Sequence, residues 1–269
     1  MEKTQTVLKS PRKLEREEIR AIRKRAHAEI RSVKQKYSDT EKRRAYKAAV
    51  KADNASHPLR YSIGEEIFNS VSHGIGAGLS IAAVVLLVTR AVFNAPAAFR
   101  GLYITSYAVF GASLFILYIF STLYHALTPY NVKNVFQIFD HSSIYILIAG
   151  TYTPYCLGAL HGPLGWTLFG VIWGLAVLGI TMYAVIGNKM RAVSAVTYVI
   201  MGWIIVFASR SLMHVVPAIT MKFLFIGGAA YMAGCPFYAM KKHKWFHCIF
   251  HLFVLAGSIF HFFSFYYMI

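Results

Sequence analysis

The sequence predicts an all-α polytopic membrane protein, a bundle of seven transmembrane helices with its N-terminus in the cytoplasm and its C-terminus outside. Three observations predict it. Of the 269 residues, 57% are hydrophobic, and mean hydropathy is +0.48. Ten of the 11 acidic residues lie within residues 1–66, which leaves Asp140 as the only carboxylate side chain after Glu66. Seven apolar runs then follow, each close to the roughly 20 residues that a spanning helix needs. A soluble domain of this size cannot keep its surface hydrated with one carboxylate and ten Lys/Arg, whereas a bundle facing lipid needs few charges.

The first element is a basic cytoplasmic tail, residues 1–61, with 18 Lys/Arg against 8 Asp/Glu. Ser10 and Pro11 mark a helix start, and Leu14, Ile19, Ile22, Ala26, Ile30, Val33 and Tyr37 recur at helical spacing. Ser38 to Glu41 fits a capping box opening a second helix, which should fade at DNASHP, residues 53–58. Two readings stay open for the tail. One is a solvated, partly disordered arm; the other is a surface helix drawn to anionic lipid head groups, each Lys/Arg gaining roughly 1 kcal/mol there. No nucleic-acid partner is expected.

The transmembrane domain occupies residues 62–269, with spans expected at 67–92, 102–125, 140–160, 164–186, 192–212, 218–239 and 246–268. Short loops separate them, among them NAPAAFRG, HGPLG, GNKMR and KKHK. Because the first apolar run follows a long charged stretch, it reads as a retained span and not as a cleaved signal. Cys156, Cys235 and Cys248 all fall inside apolar runs, which argues against a disulfide framework. Orientation follows from Lys and Arg. The tail shares a side with Lys133, with Lys189 and Arg191, and with Lys241, Lys242 and Lys244, while Arg90, Arg100, Arg210 and Lys222 lie at the opposite ends. The side carrying the tail is therefore assigned to the cytoplasm, in a multi-pass protein of the plasma membrane, expected to be a bacterial cell membrane.

Ionisable residues inside a span cost about 2.5–3.5 kcal/mol each on insertion scales, so their positions are informative. With this topology, His125 ends span two, with Ser121 one turn deeper; Asp140 and His141 open span three, and His247 and His251 open span seven. All come to the cytoplasmic layer. His247 and His251 stand at i and i+4, where their Cβ atoms are roughly 5–6 Å apart. A lone HxxxH is equally a pair of packing histidines. With His125 at the same depth, it becomes three imidazoles with an open fourth position, the ligand count of a catalytic zinc site. Asp140 reads either as a helix N-cap or as a carboxylate that orients a reacting water and accepts its proton. Ser121 either bonds a backbone carbonyl one turn earlier or contacts the metal site or a reaction oxyanion. Glu65, Asn69 and His73 share a face of span one, where they support the site or pack helices, beside Gly74, Gly76 and Gly78. His243 reads as a wet loop residue, and His214 and His261 as packing or interface residues at the wrong depth.

The pieces EEIFNSVSHGIGAGLS, STLYH, DHSSIYILIAGTYTPY and FHCIFHLFVLAGSIFHFF, in this order, resemble the haemolysin III family, the bacterial branch of the progestin and adiponectin receptor superfamily. The resemblance covers residues 62–269 and leaves out the tail. It implies a seven-helix bundle with zinc near the cytoplasmic face, held by His125, His247 and His251, with Asp140 beside the reacting water and Ser121 in the accompanying serine position. Relatives in the wider superfamily include ceramide amidases, and the bacterial branch is linked to haemolysis and membrane homeostasis. Three functions follow as expectations. The first is a zinc-dependent hydrolase of a membrane lipid amide or ester; the others are a membrane-homeostasis regulator or sensor with structural zinc, and a pore-forming haemolysin.

Overall fold

A computed structural model describes residues 11–37, Lys42, Arg44, Ala45, Ala48, 61–240 and 243–269. The chain divides into two units, Met1–Pro58 and Leu59–Ile269. In the first, helix α1 spans Pro11–Tyr37, with proline at the first position, where its missing N–H has no intrahelical partner to lose. Every described side chain from Glu18 to Ser32 is exposed, Ile19, Ile22 and Ile30 included. The regular apolar spacing thus marks a helix and not a packed face. The capping box expected at Ser38–Glu41 and the helix end expected at 53–58 lie outside the described residues.

The second unit contains α2 (Ile63–Asn94), α3 (Arg100–Ala126), α4 (Tyr130–Thr153) continued by a π-helical segment (Pro154–Leu160), and α5 (Gly162–Ile186). After the short turn Gly187–Met190 come α6 (Arg191–Trp203), α7 (Ile205–Val215), α8 (Ala218–Ala239) and α9 (Phe246–Tyr266). With Tyr130–Leu160 and Arg191–Val215 each taken as one crossing, the described residues hold seven helices long and apolar enough to span a bilayer.

The start of α2 is fixed by a capping box. The Glu65 N–H donates to the Ser62 hydroxyl, and the Ser62 N–H donates to Glu65 Oε2 at 2.9 Å. Glu65 Oε1 also accepts the Trp245 N–H at 2.7 Å, so one carboxylate ties the N-terminus of α2 to that of α9. At the other end of the bundle, Arg90 donates to the Ile269 carbonyl and lies over the Tyr266 ring, 4.4 Å from its centroid.

The third crossing is the central one: 78% of its membrane window is buried, against 22% for Gly162–Ile186 and for Arg191–Val215. It also departs most from expectation. Its helix begins at Tyr130, after Pro129 at the N-cap, and not at residue 140. Asp140 is therefore well inside α4 and cannot cap its first turn. At the far end Pro154 contributes no N–H to the ladder, and the helix continues as a π-segment. The fifth crossing breaks at Ile204, where the Tyr152 hydroxyl accepts the Ile205 N–H at 2.7 Å and donates to the Met201 carbonyl at 2.6 Å. A helix break inside a membrane needs such a substitute partner, because lipid offers none.

Of the three glycines expected to serve helix contact in α2, Gly76 does so most closely. A Cβ there would lie 2.7 Å from a ring carbon of Tyr118 on α3, while at Gly78 it would meet nothing within 4 Å. Tyr118 cannot give way easily, since its ring is buried and its hydroxyl donates to Ser258 on α9 at 2.6 Å. Gly76→Ala is therefore expected to destabilise the bundle by about 1–3 kcal/mol. Gly78→Ala should be neutral or slightly stabilising, through helix propensity. Thermal unfolding of the two variants in detergent, side by side with wild type, checks the contrast.

Candidate metal centre

Three helices meet at the end of the bundle where α2 and α9 begin and α3 finishes. The last turn of α3 carries His125, and the first two turns of α9 carry His247 and His251. Spacing i, i+4 puts the two α9 rings on one face, with their Nε2 atoms 3.1 Å apart. Ring centroids are 5.4 Å apart for His125–His247 and 4.9 Å for His125–His251. One nitrogen from each of the three lies within 4.8 Å of the other two. Two nitrogens sharing a tetrahedral metal at 2.0–2.1 Å stand about 3.3 Å apart, so the α9 pair is already near that spacing.

Burial is uneven. His125 and His251 are 3% and 2% exposed, whereas His247 is half-buried. The sealed side belongs to α2. Glu66 Oε2 lies 2.6 Å from His125 Nδ1, and Glu66 Oε1 lies 2.9 Å from Lys133 Nζ. Lys133 in turn donates to the Tyr124 carbonyl at 2.8 Å and to the Leu127 carbonyl at 3.4 Å, the exposed end of α3. About three turns into α2, His73 stacks on His251 with centroids 3.7 Å apart and planes at 17°. On the open side Tyr61 stacks on His247 at 4.7 Å and 12°.

The residues present fit a metal ion. With Nδ1 of His125 engaged by Glu66, its remaining nitrogen Nε2 is buried and has no hydrogen-bond partner among the described residues, and the Nε2 atoms of His247 and His251 face each other at 3.1 Å. Buried polar atoms are almost always paired, so an unpartnered His125 nitrogen beside two facing imidazole nitrogens fits a partner that accepts nitrogen lone pairs.

The structure thus brings together His125, His247 and His251. Ser121 is buried on α3, one turn before His125. The Asp140 carboxylate lies 3.4 Å from Nδ1 of its neighbour His141, and the Asp140 carbonyl accepts from the Ser143 hydroxyl. Among the described residues, no hydrogen bond joins Ser121 or Asp140 to the three rings. Of the other histidines, His243 and His214 are exposed, and His261 is buried against Tyr231, away from the cluster.

Sequence reasoning overlooked Glu66, Lys133 and Tyr61, while Glu65 has the helix-packing role that was one of its two expected readings. Glu65 caps helices, whereas Glu66 faces the histidines. A signal was available: Glu66, Asn69 and His73 stand at i, i+3 and i+7, closer to a 3.6-residue period than the i, i+4, i+8 set starting at Glu65. No comparable signal marks Lys133, whose role depends on where the chain turns after α3.

Comparison with known proteins bears on the family of the chain. A family model described as "Haemolysin-III related" matches residues 61–262. The chain is 42% identical over 201 residues to "Hemolysin-3" of Bacillus cereus, a match covering 75% of this chain and 90% of that one. It is 42% identical over 198 residues to "Hemolysin-3 homolog" of Bacillus subtilis (strain 168), covering 74% and 91%. A more distant relative is the human "Monocyte to macrophage differentiation factor", 26% identical over 162 residues and covering 58% and 67%. Seven spanning helices, a three-histidine group and a match over most of its length make this chain a multi-pass membrane protein of the haemolysin-III-related family.

Proposed function

We propose that the protein is a zinc-dependent hydrolase acting on a membrane lipid amide or ester. The observation that carries this reading is the three-histidine group itself, two rings sealed in the bundle and one half-buried, with His125 Nε2 left without a partner. Three neutral imidazoles suit zinc and leave a coordination position for chemistry. Zinc held there would polarise an acyl carbonyl and bring the pKa of water toward about 7.

The protein's own side chains then have separate tasks. His125, His247 and His251 hold the ion. Asp140 accepts the proton of the attacking water and returns it to the leaving group, and Ser121 donates a hydrogen bond to the oxygen on which negative charge develops. The substrate is a lipid because the site lies at one end of a bundle whose outer surface is apolar. The excess of Lys and Arg in residues 1–61 supports placing that end in the cytoplasm, with the tail against anionic head groups.

Metal analysis of the purified protein should give one zinc per chain, lost in His251→Ala, and lipidomics should show one class of acyl lipid depleted. Asp140→Asn should keep the zinc and lose at least about 100-fold in turnover, the lower end of the range for removing a general base. Protein that holds zinc but cleaves no acyl lipid, with His251→Ala behaving as wild type, sinks the reading.

A second reading, a membrane sensor with structural zinc, is favoured by Tyr61. This residue comes directly after the basic segment in the sequence and stacks on His247, the half-buried histidine of the group. Deleting residues 1–60 separates the two: a hydrolase keeps its turnover, while a sensor keeps its zinc and loses its output. The names of the Bacillus relatives also raise membrane lysis, and zinc-independent dye release from liposomes would move that reading ahead of both.

A further inference from the structure

Helix α2 supplies none of the three ligands, yet it carries the strongest polar contact of the site. Carboxylates buried in a membrane bundle are costly unless paired. Glu66 is 7% exposed and has two partners, Lys133 at 2.9 Å and His125 Nδ1 at 2.6 Å. A carboxylate is an acceptor only, so the proton in the Glu66–His125 contact sits on His125 Nδ1. This fixes the tautomer: Nε2 carries the lone pair, and it is the buried nitrogen left without a partner beside His247 and His251.

Lys133 sets the other end of the contact. Its ammonium neutralises Glu66 while donating to the Tyr124 and Leu127 carbonyls at the end of α3. The helix turn that carries His125 and the carboxylate that orients its ring are thereby held by the same cation. His251 is packed on this side by the flat stack of His73, which fixes the plane of its ring.

We propose that Glu66, clamped by Lys133, is the positioning residue for His125 and sets the metal affinity of the centre. The proposal rests on the metal-binding part of the function above and is independent of whether the ion turns over a substrate. Outer carboxylates of this kind typically change metal affinity 10- to 100-fold.

The test is chelator-competed zinc binding to the full-length protein in detergent, run beside thermal unfolding of the metal-free form and visible spectra of the cobalt-substituted form. Glu66→Gln keeps the volume and removes the anion. It is expected to weaken zinc binding by roughly 10- to 100-fold and to shift the cobalt bands. Lys133→Met, which leaves the carboxylate in place, should weaken binding by less. Glu66→Gln that binds zinc within about threefold of wild type, with unchanged cobalt bands, overturns the proposal, because a mere strut between helices would lower only the metal-free melting point. Where Glu66→Gln does not fold, Glu66→Asp, shorter by one methylene, is read in the same way. Wild type that binds no zinc fails the functional reading and this one together, whereas wild type with zinc and insensitive variants fails this one alone.

Discussion

The polar end of the bundle depends on one constraint: a carboxylate removed from water must be fully paired. Glu66 meets it with a cation on one oxygen and an imidazole on the other. That single side chain joins the first turn of α2, the last turn of α3 and the start of α4. A membrane interior strengthens such a contact, since few competing partners exist there and the local dielectric is low. Remove either partner and the remaining charge is stranded. The histidine group is therefore built on an ion pair that no ligand residue belongs to.

The same constraint explains how the rest of the bundle treats its irregularities. Pro154 and the break at Ile204 both free backbone groups in a region where lipid cannot satisfy them. At Ile204 the Tyr152 hydroxyl serves as donor and acceptor at once. Other tyrosines act alike: Tyr107 donates to the Phe265 carbonyl at 2.8 Å, and Tyr155 and Ser264 pair at 2.7 Å. The interior is thus not uniformly apolar. Hydroxyl groups spaced through it fix the register between helices, which apolar side chains alone do weakly when lipid is as good a solvent as protein.

How much of this was legible in the sequence depended on how local the signal was. The seven crossings follow from apolar length and from the absence of acidic residues beyond Glu66 other than Asp140, and six of the seven begin within four residues of expectation. The exception is the third, where polar residues such as Asn131, Lys133 and Gln137 broke the apolar run although the backbone stays helical from Tyr130. Hydropathy reads lipid exposure, and this helix is the one least exposed to lipid. The ligand trio was legible because HxxxH is local and topology set the depth of His125. Glu66 and Lys133 were not, because their meaning lies in a contact between α2 and the residues after α3, which no spacing within one helix encodes.

Two of the histidines lie on α9 and one on α3, so the group is a property of the folded bundle. An ion bound there stabilises the fold in proportion to the logarithm of its concentration over its Kd, whatever chemistry it also performs. Structural and catalytic roles are consequently not alternatives at the level of binding, and a rise in melting temperature on adding zinc says nothing between them. What separates them is the fourth position. Two of the three rings are sealed by α2, through Glu66 against His125 and His73 against His251, and His247 alone is half-buried, with Tyr61 stacked on it. A centre meant only to tie helices would gain from closing that side as well. Its asymmetry gives the site one accessible quarter, the side on which the proposed hydrolysis would have to admit its substrate.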